Sequence, residues 1–148
     1  MAKVIAVNMS DSKGIPKKPV EKGYFEVGHG LVGDAHAGDW HRQVSLLGTE
    51  SFAKVQAMGL KDLQAGSFAE NITTEGIILY ELPLGTRLQI GETVMEVTQI
   101  GKECHHGCAI RQATGDCVMP REGIFTIVIT PGWVKAGDSI SLIPQNKQ

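Results

Sequence analysis

Between Thr93 and Ile100 apolar and polar residues alternate, with Val94, Glu96 and Thr98 on one face, which is the period-two pattern of a strand with one side buried. Shorter segments carry related patterns: Lys3 to Asn8, Tyr24 to Val27, Gln43 to Leu47, Ile77 to Tyr80, Arg87 to Ile90, Ile124 to Ile129, a stretch from Val134, and Ile140 to Ile143. Turn residues separate them, at Pro83-Leu84-Gly85, Gly91-Glu92, Pro120-Arg121-Glu122-Gly123, Pro131-Gly132 and Gly137-Asp138. One helix is predicted from Gly48 to Gly59, with Thr49 near its N-cap, Gly59 just past its end, and Phe52, Val55 and Met58 on its buried side. Gly66 to Gly76 reads as a polar loop of Asx and Ser/Thr turns, with a ligand-facing Asn71 as the functional alternative. Strand and turn at this spacing, with few helices between, predict a mainly β fold, an antiparallel β-barrel-like architecture with one or two short helices.

Composition agrees with many short strands, since the chain has 18 glycines and only 5% aromatic residues. At 148 residues and 42% hydrophobic content it is expected to form one domain, 1–148. A chain of that length buries about 70% of the surface its unfolded form exposes, so neither disulfides nor metal are required for stability. A formal net charge of -2 supplies no global field for nucleic acid or an anionic membrane, so an anionic ligand has to be held locally. The apolar run at Met1 to Asn8 has no cleavage site after it, and no apolar run of about 18 residues occurs. A soluble, cytoplasmic protein is expected, with a frayed tail at Pro144 to Gln148.

The chemistry concentrates in two places. All three cysteines and two of the five histidines fall in Gly101-Lys102-Glu103-Cys104-His105-His106-Gly107-Cys108 and, a little further on, Cys117. In a reducing compartment such crowding points to a reactive thiol or a metal site rather than to disulfides. Lys102, His105 and His106 bear on the choice. Cationic neighbours favour a thiolate, and lowering a cysteine pKa from about 8.5 to about 6 raises its thiolate fraction at neutral pH from roughly 3% to roughly 90%. Zinc is the competing reading, with Cys104, Cys108, Cys117 and one histidine as ligands, because the Cys-x3-Cys spacing suits half of such a site. Cys108 and Cys117 also suit a role as small buried hydrophobes.

The second centre is the glycine-dense run from Gly28 to Arg42, with His29, His36, His41, Asp34, Asp39 and Arg42. A metal reading takes Asp34, His36 and His41 as ligands, but their spacing matches no metal signature, and turn-forming roles suit them better. Arg42 stands apart, because a guanidinium fork fits phosphate or carboxylate and an apolar strand follows it at once. Ahead of this run, Ser10 to Gly23 carries Lys13, Lys17, Lys18 and Lys22 around two prolines. It reads first as a solvated linker and second as an arm over an anionic ligand.

Taken together, Gly33-Asp34-Ala35-His36-Ala37-Gly38 with Arg42-Gln43-Val44-Ser45-Leu46, then Gly66 to Gly76, then Leu84-Gly85 with Ile90-Gly91, then a strand ending at a cysteine, resemble the MOSC domain, the molybdenum cofactor sulfurase C-terminal domain. Nearly the whole chain is covered, in order. The resemblance is to the short stand-alone branch, some of whose members are joined to a cofactor-biosynthesis domain. It implies a β-rich, barrel-like MOSC fold and a role in handling the molybdenum cofactor (molybdopterin) or a precursor, with a cysteine that accepts or passes sulfur or ligates the metal. Cys104 matches the cysteine at the strand end and so is also a possible molybdenum ligand. Asp34, His36 and Arg42 match the first loop, and Glu70 and Asn71 the second. Where many members have arginine and proline before that cysteine, this chain has Lys102 and Glu103, and it adds Cys108 and Cys117.

On this reading Cys104 is the sulfur acceptor, Lys102 and His105 favour its thiolate, and Cys108 or Cys117 resolves a persulfide. Arg42, Arg111 and Lys17 or Lys18 hold the cofactor's anionic groups. The chain has no room for a pyridoxal-dependent desulfurase, so no PLP is expected and the sulfur comes from a partner, a cysteine desulfurase. A molybdoenzyme or cofactor-biosynthesis protein then receives the product. The activity would be a sulfur carrier or sulfurtransferase type. The alternatives are a non-catalytic module for the cofactor or an oxyanion, and a barrel with structural zinc at the cysteines.

Overall fold

The computed structural model describes residues 2–12, 16–57, 63–101 and 122–144. The expectations for Lys13, Met58, Gly59, Lys102, Cys104, His105, His106, Cys108, Arg111 and Cys117, and for the tail from 145, lie outside the described residues. Within them the order is β1 (Lys3–Met9), β2 (Lys18–Val20), β3 (Lys22–Glu26), β4 (Gly30–Leu31), β5 (Val44–Gly48), α1 (Thr49–Ala57), β6 (Ile72–Glu75), β7 (Arg87–Ile90), β8 (Thr93–Ile100), β9 (Ile124–Thr130), β10 (Gly132–Lys135) and β11 (Ile140–Ile143). The clearest alternation in the sequence folds as expected. In β8 Thr93, Met95 and Val97 are buried, while Val94, Glu96 and Thr98 are only partly covered.

Eight strands form one sheet in the order β11, β7, β8, β9, β5, β6, β1, β2, and three form a second in the order β10, β3, β4. One hydrophobic cluster joins them. Phe25, Leu31 and Val134 of the small sheet pack with Val7, Leu46, Ile72, Leu88, Met95, Val97, Ile124 and Val128 of the large one. Burial of each such side chain contributes about 1.5–3 kcal/mol. β5 is buried at all five positions. Helix α1 follows it directly and adds Phe52, which meets Phe68 edge-on at 4.8 Å.

Four expectations are corrected. The mainly β class holds, but among the described residues the sheets are open and no closed barrel forms; β1 meets the approach to β11 outside the strand ladders, through the isolated bridge between Lys3 and Ser139 and the backbone bonds of Val4 with Gly137 and Asp138 and of Ile140 with Ala2. Nor is the large sheet wholly antiparallel. β5 and β6 run parallel, Leu46 opposite Ile72, because α1 lies in the crossover that a parallel pair requires. The strand expected at Ile77 to Tyr80 is a short 3-10 turn at Leu79–Glu81, in which Leu79 is buried and Leu82 is extended ahead of Pro83. Conversely, part of the loop expected at Gly66 to Gly76 is strand β6. Its Thr73 and Thr74 are fully buried, and their β-branched side chains suit a strand that lies between β5 and β1.

Candidate functional site

Arg42 ends the glycine-dense loop, one residue before Gln43, whose Oε1 accepts the Val128 amide of β9 at 3.0 Å. The guanidinium lies over two rings, 4.5 Å from the Trp40 ring centre and 5.6 Å from that of Phe125. Cation–π contact on two rings holds a long side chain without using its donors. Arg42 Nε is buried and has no hydrogen-bond partner among the described residues.

The backbone just before Arg42 is held by an irregularity in β8. Pairing with β9 shifts register between Val97 and Gln99, and the residue left between them is Thr98. A bulge of this kind re-aims side chains at a sheet end. Thr98 Oγ1 donates toward the His41 carbonyl and toward the Phe125 carbonyl, and Gln99 Oε1 lies 2.7 Å from His41 Nε2. Two neighbours on β8 thus hold His41, and Trp40 meets the His41 ring edge-on at 6.0 Å.

Asp34 and His36 lie in the same loop but face inward. Asp34 Oδ1 accepts Lys17 Nζ at 2.8 Å and the Ser10 amide at 3.1 Å, while Oδ2 accepts the His36 amide at 3.1 Å. Both side chains of the ion pair have no solvent exposure. Lys17 is therefore no solvated linker residue. Burial raises the Asp34 carboxyl, but Lys17 and the Ser10 amide outweigh it, and its pKa lies below the ordinary value. Lys17 Nζ is also 2.9 Å from His36 Nδ1, and an ammonium only donates, so in this contact Nδ1 is the acceptor.

Glu70 and Asn71 occupy a fully buried network beside β1 and β5, and Asn71 also bears on the Asp34 carboxylate. Glu70 accepts the amides of Gly66 at 2.9 Å and Phe68 at 3.1 Å and the Thr73 hydroxyl at 2.7 Å. Burial pushes its pKa up, against those donors. Asn71 Oδ1 accepts the Ser45 amide at 3.0 Å, and its own amide donates to Ser45 Oγ at 3.0 Å. Gly66 needs to be glycine here. Its φ is +89°, and a Cβ would stand 2.0 Å from the Lys17 carbonyl oxygen, whose own amide donates to the Gly66 carbonyl at 2.8 Å. The second loop thereby carries the backbone of Lys17, and β1 and the residue after it join the networks, Asn8 through the Asn71 carbonyl and Ser10 through Asp34.

The structure thus brings Asp34, His36 and Arg42 into one loop, sets Glu70 and Asn71 behind it, and leaves Arg111 and the cysteines outside the described residues. The stretch 102–121 departs and returns at one place, since the Gly101 amide donates to the Gly123 carbonyl at 2.6 Å. On the return side Glu122 takes Ser51 Oγ at 2.6 Å and Lys54 Nζ at 2.7 Å, both from α1. On the departure side Gln99 Nε2 donates to the Gly101 carbonyl at 2.7 Å, so the residue that holds His41 also holds the last described residue before this stretch. Among the described residues no group of three or more His, Cys, Asp or Glu side chains could hold a metal ion. No described helix is long and apolar enough to cross a membrane.

Sequence reasoning missed Trp40, Phe125, Thr98, Gln99, Asn8 and Ser10, and read Lys17 as part of a solvated linker or an arm over a ligand, whereas it is buried against Asp34. Only Trp40 carried a local signal, an aromatic two residues from an arginine in a polar loop. Taken alone, the geometry defines a β-rich protein that presents a stacked arginine, with unused donor capacity, at the sheet end where a cysteine-bearing stretch departs. The sequence profile of the MOSC domain matches residues 33–141, and the chain belongs to that family. No curated protein sequence matches it. Its fold is similar to the YuaD protein from Bacillus subtilis, at 20% identity and a TM-score of 0.78, covering 95% of this chain and 94% of that one. It is also similar to YiiM from Geobacillus stearothermophilus, at 17% identity and 0.73, covering 97% and 76%. YiiM from Escherichia coli gives 19% and 0.71, covering 98% and 71%.

Proposed function

We propose that this protein binds the molybdenum cofactor or a precursor and carries sulfur on a cysteine of the stretch 102–121, Cys104 first. The observation that carries the reading is Arg42. Its guanidinium rests on Trp40 and Phe125, and its buried Nε is unpartnered among the described residues. A fixed fork of unused donors fits an anionic group, such as the phosphate of a pterin cofactor, better than it fits any described side chain. Asp34, His36, Glu70 and Asn71 then serve the ligand through the loops they hold, while Arg111 adds a second cation. When bound, the cofactor would supply the molybdenum and dithiolene chemistry; the chain's own residues bind, orient and exchange sulfur.

The sulfur step balances without an oxidant. The Cys104 thiolate attacks the outer sulfur of a persulfide on a partner desulfurase, one S–S bond forms as another breaks, and the partner's thiolate leaves. Lys102 and His105 favour the attacking thiolate. Intact-protein mass spectrometry before and after incubation with a cysteine desulfurase and cysteine tests this. The expected result is a gain of one sulfur atom, reversed by reductant, mapped to Cys104 and absent in Cys104→Ser. Full loading of Cys104→Ser would move the working thiol, and no loading with the thiols shown free would leave only the binding module.

A further inference from the structure

A continuous path of contacts runs from the buried ion pair to the candidate anion site. Asp34 takes Lys17 Nζ on one oxygen and the His36 amide on the other. Lys17 Nζ meets His36 Nδ1, so the same ammonium fixes both the carboxylate and the ring. The His36 carbonyl then accepts the Trp40 indole N–H at 3.0 Å, and the Trp40 ring carries the Arg42 guanidinium at 4.5 Å. Each link is one hydrogen bond or one ring contact. Trp40 is 36% exposed, and the indole N–H bond is the directional tie of its ring to the rest of the loop.

We propose that Lys17 and Trp40 are positioning residues for Arg42, acting through Asp34 and His36. The inference rests on the reading of Arg42 as the anion-binding group and gives that reading its source of order. An arginine on a surface loop loses much rotamer freedom when it binds, and a side chain already fixed on a tethered indole has lost that freedom beforehand. The path also explains why Lys17 is drawn in from a loop of otherwise exposed lysines such as Lys18 and Lys22. Its charge is used under the site rather than on the ligand.

The test reads the Arg42 side chain itself, in the full chain, by the NMR signal of its Nε–H, assigned by its loss in Arg42→Lys. Trp40→Phe keeps an aromatic face but removes the indole N–H, at an exposed position where the fold tolerates it. Lys17→Met combined with Asp34→Asn removes both charges together. In each variant the Nε–H is expected to exchange with solvent faster, on the order of tenfold, while the backbone amides of β8 and β9 keep their protection. Combining all three substitutions should add little beyond either variant, because they cut one path. An unchanged Nε–H in Trp40→Phe overturns the proposal, whether or not the charge-neutral pair folds. So do rates that multiply in the combined variant. Inorganic phosphate is then titrated into the wild type. A relay-dependent Nε–H that phosphate leaves unmoved supports the positioning path and counts against the anion reading, so the two fail separately.

Discussion

Around Asn71, Ser45, Glu70 and Thr73 use their polar atoms on one another and on nearby backbone, and all are buried. Around Arg42 the neighbours are fixed, yet the guanidinium retains a buried Nε with no described partner. Both regions are polar, and both come from glycine-marked loops. The first has the properties of a strut, since a buried network whose hydrogen bonds are made, Asn8 Oδ1 excepted, specifies one backbone arrangement. The second has those of a receptor, since donor capacity is left over after the fold has been made.

Lys17 belongs to the strut although it comes from a basic loop, and removing it should have the largest effect on stability. Lys17→Met leaves Asp34 as a buried carboxylate without its cation, a loss of about 3–5 kcal/mol. Urea unfolding measures it, and a loss below about 1 kcal/mol would mean that water reaches Asp34.

Two carboxylates sharpen the contrast through pH, because their shifts have opposite signs. The lowered pKa of Asp34 means that its stabilisation is full above the unfolded value, about 3.9, and is lost as pH falls through the lower folded value. The raised pKa of Glu70 means that stability falls as pH rises from about 4.3 through the higher folded value. Unfolding measured against pH should therefore show Asp34→Asn converging on the wild type only in strong acid. In Glu70→Gln the loss of stability above about pH 4.3 should be flattened. Parallel curves for both variants would contradict the assignment.

The smallest effect is expected at Ala69, held at φ 63° between the two loop carboxylate contacts. Ala69→Gly removes left-handed strain but loosens the unfolded chain, for a net gain of about 0.5–1 kcal/mol in the melting free energy. A loss would mean that the methyl group packs.

Much of the fold was legible because strand alternation is local. β7, β8, β9 and β11 follow directly from it, and α1 from its flanking glycines. β6 was not, since Thr73 and Thr74 read as turn residues until β1 and β5 enclose them. The parallel pairing and the open sheet depend on which strands meet, which no local pattern states. At the site, Arg42 stood out by residue type and by the strand after it. Its stacking on Phe125 and the hold of Thr98 and Gln99 on His41 join residues more than 50 positions apart, as does the link from Ser51 to Glu122. The burial of Lys17 was hidden for the same reason, its partner being 17 residues away in a separate loop.

The division between strut and receptor is tested most directly by binding. Wild type and Arg42→Ala are titrated anaerobically with cofactor released from a molybdoenzyme, and indole fluorescence is followed. The account predicts that Arg42→Ala binds more weakly by about 1.5–3 kcal/mol, the value of a hydrogen bond to a charged group, with little change in unfolding. Equal affinity in the two proteins would place the anionic group elsewhere and remove Arg42 from the site.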